Sequence, residues 1–244
     1  MAFGRNSSII RQSQRYFQIN ITIVGMPSIV ILISGSGSNL QAIIDAVADK
    51  KIHAHISAVI SNRPDVLGLT KAKSAGIKTI VIDHTKFAER QQFDKALAEQ
   101  VAQLNPDLIV LAGFMRILPE TFIDQYKGRI LNIHPSLLPE FKGMHTHQRA
   151  LEAGHKQHGA SVHFVSNELD SGPIVIQARI PVLNGDDETT LATRVLQQEH
   201  IIYPLAIEWL TSGRLSLINN HVHFDGKPIK EIATWQSEIL SLPQ

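Results

Sequence analysis

From Ser28 onward the chain alternates short apolar runs with longer amphipathic stretches, and that alternation restricts it to a small set of folds. The runs 29–33, 56–60, 79–82, 108–111 and 130–133 have the length and the branched side chains of strands. Their near-continuous apolarity predicts a sheet covered on both faces. Between them, 39–50, 66–75, 87–104 and a shorter stretch after Pro119 read as helices that cross over right-handed. The expectation is an α/β fold, a Rossmann-like open, mostly parallel sheet flanked by helices. After His134 the order changes: 161–166 and 174–182 are joined by a short loop, which predicts a hairpin. A long helix over 188–210 follows, and a small hairpin from 214–218 and 221–224 completes a C-terminal antiparallel extension.

Composition narrows function by exclusion. A net charge of +1 leaves no broad cationic field for nucleic acid, and no apolar run approaches the roughly 18 residues of a membrane span. The absence of cysteine removes disulfides and thiolate chemistry together and fits a reducing, cytoplasmic setting. Residues 1–25 carry Arg5, Arg11 and Arg15 with no acidic residue, which superficially resembles a transit peptide. The favoured reading is a disordered or non-native extension ahead of a start at Met26, followed by one domain over 26–228 and a tail over 229–244.

The first strand runs into Ser34-Gly35-Ser36-Gly37-Ser38-Asn39 and then a helix, so free N–H groups and the helix dipole would meet at a site suited to phosphate. Leu40 stands where a dinucleotide fingerprint needs its third glycine, and Ser61-Asn62-Arg63 follows the second strand in place of an acid, which disfavours a nicotinamide cofactor. A tight strand-to-helix corner is the plainer alternative. At the carboxyl end of the fifth strand, Asn132 and His134 are two residues apart and point to one face. A carboxamide and an imidazole converging there can stabilise an oxyanion or position a nucleophile. Asp170 lies in an acidic turn before Ser171-Gly172-Pro173, where a loop acid is often no more than a turn former.

These segments together resemble the phosphoribosylglycinamide formyltransferases in their monofunctional, bacterial-like form. The resemblance spans Met26 to about Pro228 and includes the glycine loop, Ala112-Gly113-Phe114-Met115-Arg116-Ile117-Leu118, and Asn132 to Pro139. It continues through His145-Thr146-His147, Gly159 to Asp170, and Gln198-Glu199-His200. It implies the formyltransferase fold and a catalytic trio of Asn132, His134 and Asp170 around the formyl carbon of 10-formyltetrahydrofolate, the co-substrate, with no metal. By the same resemblance Gly37, Ser38 and Asn39 hold the phosphate of glycinamide ribonucleotide, and Glu199 helps hold that substrate. The pterin end of the folate would lie against Met115, Arg116, Ile117 and Leu118, opposed by Ser166, Asn167, Glu168, Leu169 and Asp170, with Arg90 a further folate-side position. The implied partners are these two small molecules, with no nucleic acid and no membrane, for a monomer or homodimer.

Three other readings compete. Methionyl-tRNA formyltransferase carries a further C-terminal domain, formyltetrahydrofolate deformylase a further N-terminal one, and a phosphate-binding protein could carry an idle trio. Histidines 145, 147, 155 and 158 invite a zinc site. With no cysteine and no His-Glu-x-x-His helix, loop-bracing histidines are the better expectation.

Overall fold

The computed structural model describes residues 25–236 and 239–242, so the expected N-terminal extension lies, but for Gly25, outside the described residues. In chain order the elements are β1 (Ser28–Ile33), α1 (Ser38–Ala48), β2 (His55–Ser61), α2 (Leu67–Ser74), β3 (Thr79–Val81), α3 (Arg90–Leu104), β4 (Leu108–Leu111), α4 (Glu120–Gln125) and β5 (Ile130–His134). There follow α5 (Thr146–Glu152), β6 (Gln157–Phe164), β7 (Ile174–Pro181), α6 (Glu188–Thr211), β8 (Leu215–Ile218), β9 (His221–Phe224), β10 (Lys227–Pro228), β11 (Ala233–Gln236) and β12 (Ile239–Ser241). The main sheet runs β12-β11-β7-β6-β5-β4-β1-β2-β3 and a small second sheet runs β10-β9-β8.

Strands β1 to β5 are mutually parallel, and the chain reverses direction at β6, which pairs antiparallel with both β5 and β7. The expected mostly parallel α/β sheet with a C-terminal antiparallel extension is what the chain forms. β1 shows why its apolarity is unbroken: Ile29, Ile31 and Ile33 pack into the core under α1, α2 and α6, while Val30 and Leu32 pack into the core under α3 and α4.

Some boundaries differ from the sequence reading. β6 begins at Gln157 rather than at 161, because Gly159 fits where an added Cβ would meet the Ala178 carbonyl oxygen at 1.8 Å. α3 starts at Arg90 rather than 87, after a 3₁₀ turn over His84–Lys86 capped by the Asp83 side chain. The stretch 229–244, read as a tail, contributes β11, which pairs parallel with β7, and β12. α6 starts as expected, behind a reciprocal capping box of Asp187 and Thr190.

The long helix is tied to the sheet by one buried group. The Tyr203 hydroxyl lies 3.0 Å from the carbonyls of Leu111 and of Leu131, at the ends of β4 and β5. Tyr203→Phe removes that donor while keeping the ring, and should lower unfolding free energy by about 1–2 kcal/mol in a denaturant titration. A variant as stable as the parent would show that the hydroxyl does not brace the two strand ends.

Candidate active site

The segment after β5 is held by buried polar groups from β6 and β7. Ser161 donates its hydroxyl to the Ser136 carbonyl at 2.7 Å and accepts from the Leu138 backbone N–H at 3.0 Å. Gln177 reaches the same place, its amide donating to the Leu138 carbonyl at 2.8 Å and to Ser161 Oγ at 3.0 Å. Such a closed buried network fixes one backbone course, since each unmet group would carry a desolvation cost.

On that base Asn132, His134 and Asp170 come together, in the company of His163. Register places Asn132 opposite His163 across the β5–β6 pair. His163 Nδ1 is 2.9 Å from the Phe164 carbonyl, and burial, despite the nearby Asp170 carboxylate, holds its pKa below the usual histidine value. The ring is therefore neutral with its proton on Nδ1, and Nε2 accepts from the Asn132 amide at 3.1 Å. The second N–H of that amide stays free to donate.

His134 differs. Its Nε2 lies 2.9 Å from the Phe141 carbonyl, and its Nδ1 lies 3.4 Å from Asp170 Oδ2. Both nitrogens face oxygen acceptors. Asp170 Oδ2 also accepts from the Gly143 N–H at 2.9 Å, and Oδ1 is 3.8 Å from His163 Nε2. The carboxylate thus stands between two imidazoles, its side chain only 8% exposed. Asp170 and Phe141 have left-handed backbones, φ 47° and 52°, a conformation that costs non-glycine residues energy and is often found at functional sites.

On the other side of β5, Gly37 caps α1 with a left-handed φ of 66° and no side-chain cap, leaving the first N–H groups of the helix open. Asn39 donates to Glu199 Oε2 at 2.6 Å, and its own Oδ1 is buried without a partner. A carboxylate and an open amide oxygen side by side suit hydroxyl groups. A cavity of about 670 Å³ opens from Ser38 between α1 and α6, bordered by His200, Ile201 and Trp235; the trio does not line it.

The run 115–118 is joined to the glycine loop through Ser34, whose hydroxyl accepts from the Met115 N–H at 2.8 Å. Met115 and Ile117 are exposed, Leu118 is buried, and Arg116 stacks over Phe93 at 4.7 Å. Arg90 donates to the Ile117 carbonyl at 2.6 Å. Across from them the loop 165–173 is closed by the Phe164 N–H on the Pro173 carbonyl, with Leu169 exposed, Ser166 Oγ on the Glu168 carbonyl and Asn167 donating to Glu120 at 3.0 Å. Exposed apolar side chains beside polar and cationic groups are what an aromatic ligand with a polar edge requires.

Comparison with known proteins matches residues 28–207 to the formyl transferase family model. The chain belongs to the formyl transferase family. It is 51% identical over 200 residues to the phosphoribosylglycinamide formyltransferase of Escherichia coli, covering 82% of this chain and 94% of that one. It is 46% identical over 192 residues to the human trifunctional purine biosynthetic protein adenosine-3, covering 79% of this chain and 19% of that one. Among solved structures, the phosphoribosylglycinamide formyltransferase of Coxiella burnetii superposes with a TM-score of 0.80 at 50% identity, covering 84% of this chain and 96% of that one.

Within this formyl transferase the structure brings together Asn132, His134 and Asp170, and separately Gly37, Ser38, Asn39 and Glu199. Arg90 and Met115 to Leu118 form one rim and Ser166 to Asp170 another. The sequence reading missed His163 as a member of the site, although it sits two residues before Val165 in the same strand pattern that located Asp170; its antiparallel register opposite Asn132 was the missing signal. It also missed Ser161 and Gln177, buried polar residues in otherwise apolar strands. Among the described residues no three His, Asp or Glu side chains gather to hold a metal ion. His147 and His158 instead contact each other at 3.1 Å, and burial next to the other histidines pushes His158 down to about 4.

Glu199 shows what burying a carboxyl beside the glycine loop costs. Burial raises its pKa above the ordinary 4.5, against the opposing hydrogen bond from Asn39. Below that value both folded and unfolded chains hold the proton and no penalty applies. As pH rises past it the unfolded chain ionises first, so stability falls until the folded carboxyl ionises too. Glu199→Gln should therefore melt above the parent at about pH 7.5 and lose that advantage near pH 4, as followed by calorimetry. A difference that does not change with pH would mean that the carboxyl is not strained by burial.

Proposed function

We infer that this enzyme transfers the formyl group of 10-formyltetrahydrofolate to the amine of N1-(5-phosphoribosyl)glycinamide, giving the N-formyl product and tetrahydrofolate in purine biosynthesis. The observation that carries this reading is the Asn132–His134–Asp170 grouping beside a helix N-terminus left open at Gly37, in a chain so similar to named phosphoribosylglycinamide formyltransferases.

The amine nitrogen attacks the formyl carbon, a C–N bond forms, and the carbonyl electrons move to oxygen. The free N–H of Asn132 and the Nδ1–H of His134 are the donors for that oxyanion, already aimed before the charge develops. Phe141 holds Nε2 of His134, which leaves Nδ1, 3.4 Å from Asp170 Oδ2, as the nitrogen turned to the reaction. Collapse of the intermediate breaks the bond to N10 of the folate, and the proton shed by the amine passes to N10. Asp170, directly or through water, relays it and holds the His134 imidazole in place. Gly37, Ser38 and Asn39 take the phosphate, and Glu199 takes a ribose hydroxyl. Met115 to Leu118, Arg90 and Ser166 to Leu169 take the pterin. The reaction needs no partner beyond the two small molecules. We place the enzyme in the cytoplasm, as a monomer or homodimer that acts without nucleic acid.

Formation of tetrahydrofolate from the two purified substrates tests the reading directly; a parent protein that makes none would overturn it. Asn132→Ala should lower kcat by about 10²–10³ with KM for both substrates nearly preserved, the usual consequence of losing one oxyanion donor. Asp170→Asn should lower kcat by orders of magnitude, and full activity in that variant would end the catalytic assignment.

A further inference from the structure

The segment 141–145 serves both His134 and Asp170, and three of its five residues are left-handed: Phe141 at φ 52°, Gly143 at 79° and His145 at 57°. Two of these lack glycine's freedom, so the course of the segment has to be held from outside. The Phe141 carbonyl lies 2.9 Å from His134 Nε2, and the Gly143 N–H donates to Asp170 Oδ2 at 2.9 Å.

That hold comes from α5, an element the mechanism has so far not used. Thr146 and Ala150, one turn apart, are buried and fix the helix to the body of the protein. From the position before Ala150, Arg149 Nη1 donates back to the Lys142 carbonyl at 2.7 Å and to the Met144 carbonyl at 3.3 Å. Its guanidinium carbon lies 5.4 Å from the centre of the Phe141 ring. One side chain thus grips the segment on both sides of Gly143.

The Lys142 carbonyl and the Gly143 N–H are the two ends of one planar trans peptide group, and they point in opposite directions. Arg149 holds the oxygen end while the N–H end meets Asp170. A cation on the oxygen polarises the peptide and strengthens its N–H as a donor to the carboxylate. It also opposes a flip of the peptide, which would turn the carbonyl oxygen toward Asp170.

We propose that Arg149 is a positioning residue for formyl transfer, acting on Asp170 through the 142–143 peptide and on His134 through Phe141. The role rests on the catalytic reading of the trio given above.

The experiment compares the parent with Arg149→Met, which keeps an apolar stem over Phe141 and removes the donors, and with Arg149→Lys, which keeps a cationic donor. Arg149→Met should lower kcat about tenfold, the low end for a charge-assisted hydrogen bond because the arginine is exposed. KM for both substrates should stay within about twofold of the parent's, since an aim lost in the transition state lowers kcat and leaves binding. Arg149→Lys should recover most of the loss. Unchanged kcat in Arg149→Met, or a rise in KM at constant kcat, overturns the role. Proton–nitrogen NMR without substrates gives a readout that needs no turnover: the Gly143 amide proton should move upfield in Arg149→Met and also in Asp170→Asn. A parent that transfers no formyl group would overturn the assigned reaction while that upfield move kept the link from Arg149 to Asp170, whereas an unmoved Gly143 resonance in Arg149→Met would overturn the link alone.

Discussion

The antiparallel pairing of β5 with β6, in a single register, is the constraint on which the reactive end of the molecule depends. It sets Asn132 against His163 and His134 against Ser161. A slip of one residue would turn every one of these side chains to the opposite face, into the apolar core that Leu131 and Ile133 now occupy. The register is protected from both sides. β4 pairs with β5 in parallel, and Ser161 with Gln177 anchors the chain that leaves His134. Because β6 runs against β5, the two strands need no crossover helix between their paired faces, and the short loop 165–173 can bring Asp170 back to His134.

The same region holds groups that favour function over stability. Glu199 is buried with a carboxyl that resists ionisation, His163 is buried neutral, and Phe141, His145 and Asp170 adopt left-handed backbones without glycine's freedom. Each is unfavourable in isolation and is offset by rigid surroundings: the two-sided apolar core, the capped and anchored α6, and the closed hydrogen bonds of the 135–141 segment. A softer scaffold would let these groups relax into ordinary geometries and lose the aim of their donors.

The parallel strands and the long helix were legible because periodicity and length leave one choice: an unbroken run such as 29–33 buries on both faces, and 188–210 has the length and the acidic cap of a helix. β11 was not legible, since Ala233 to Gln236 is too short and mixed to signal a strand, and its pairing with β7 is a contact distant in sequence. α5 was hidden because His145 enters it with a left-handed φ of 57° and no side-chain cap. In the site, Asn132 and His134 followed from their spacing on a strand, while the packing of Gly68 on the glycine loop could not: a glycine that permits backbone contact 31 residues away leaves no local pattern.

The disposition of protons follows from one carboxylate serving two imidazoles. Asp170 lies 3.4 Å from His134 Nδ1 and 3.8 Å from His163 Nε2, yet the rings are not equivalent. His163 already donates its Nδ1–H to the Phe164 carbonyl and uses Nε2 to accept from Asn132, so a second proton there would break the contact that orients the amide. His134 has a carbonyl on Nε2 and a carboxylate on Nδ1, an oxygen acceptor on each side. The two rings thus face different partners, and His163, buried and neutral, is the one that holds Asn132. The backbone carbonyls of Phe141 and Phe164 fix the orientation of the two rings, and the Asp170 carboxylate stands between them.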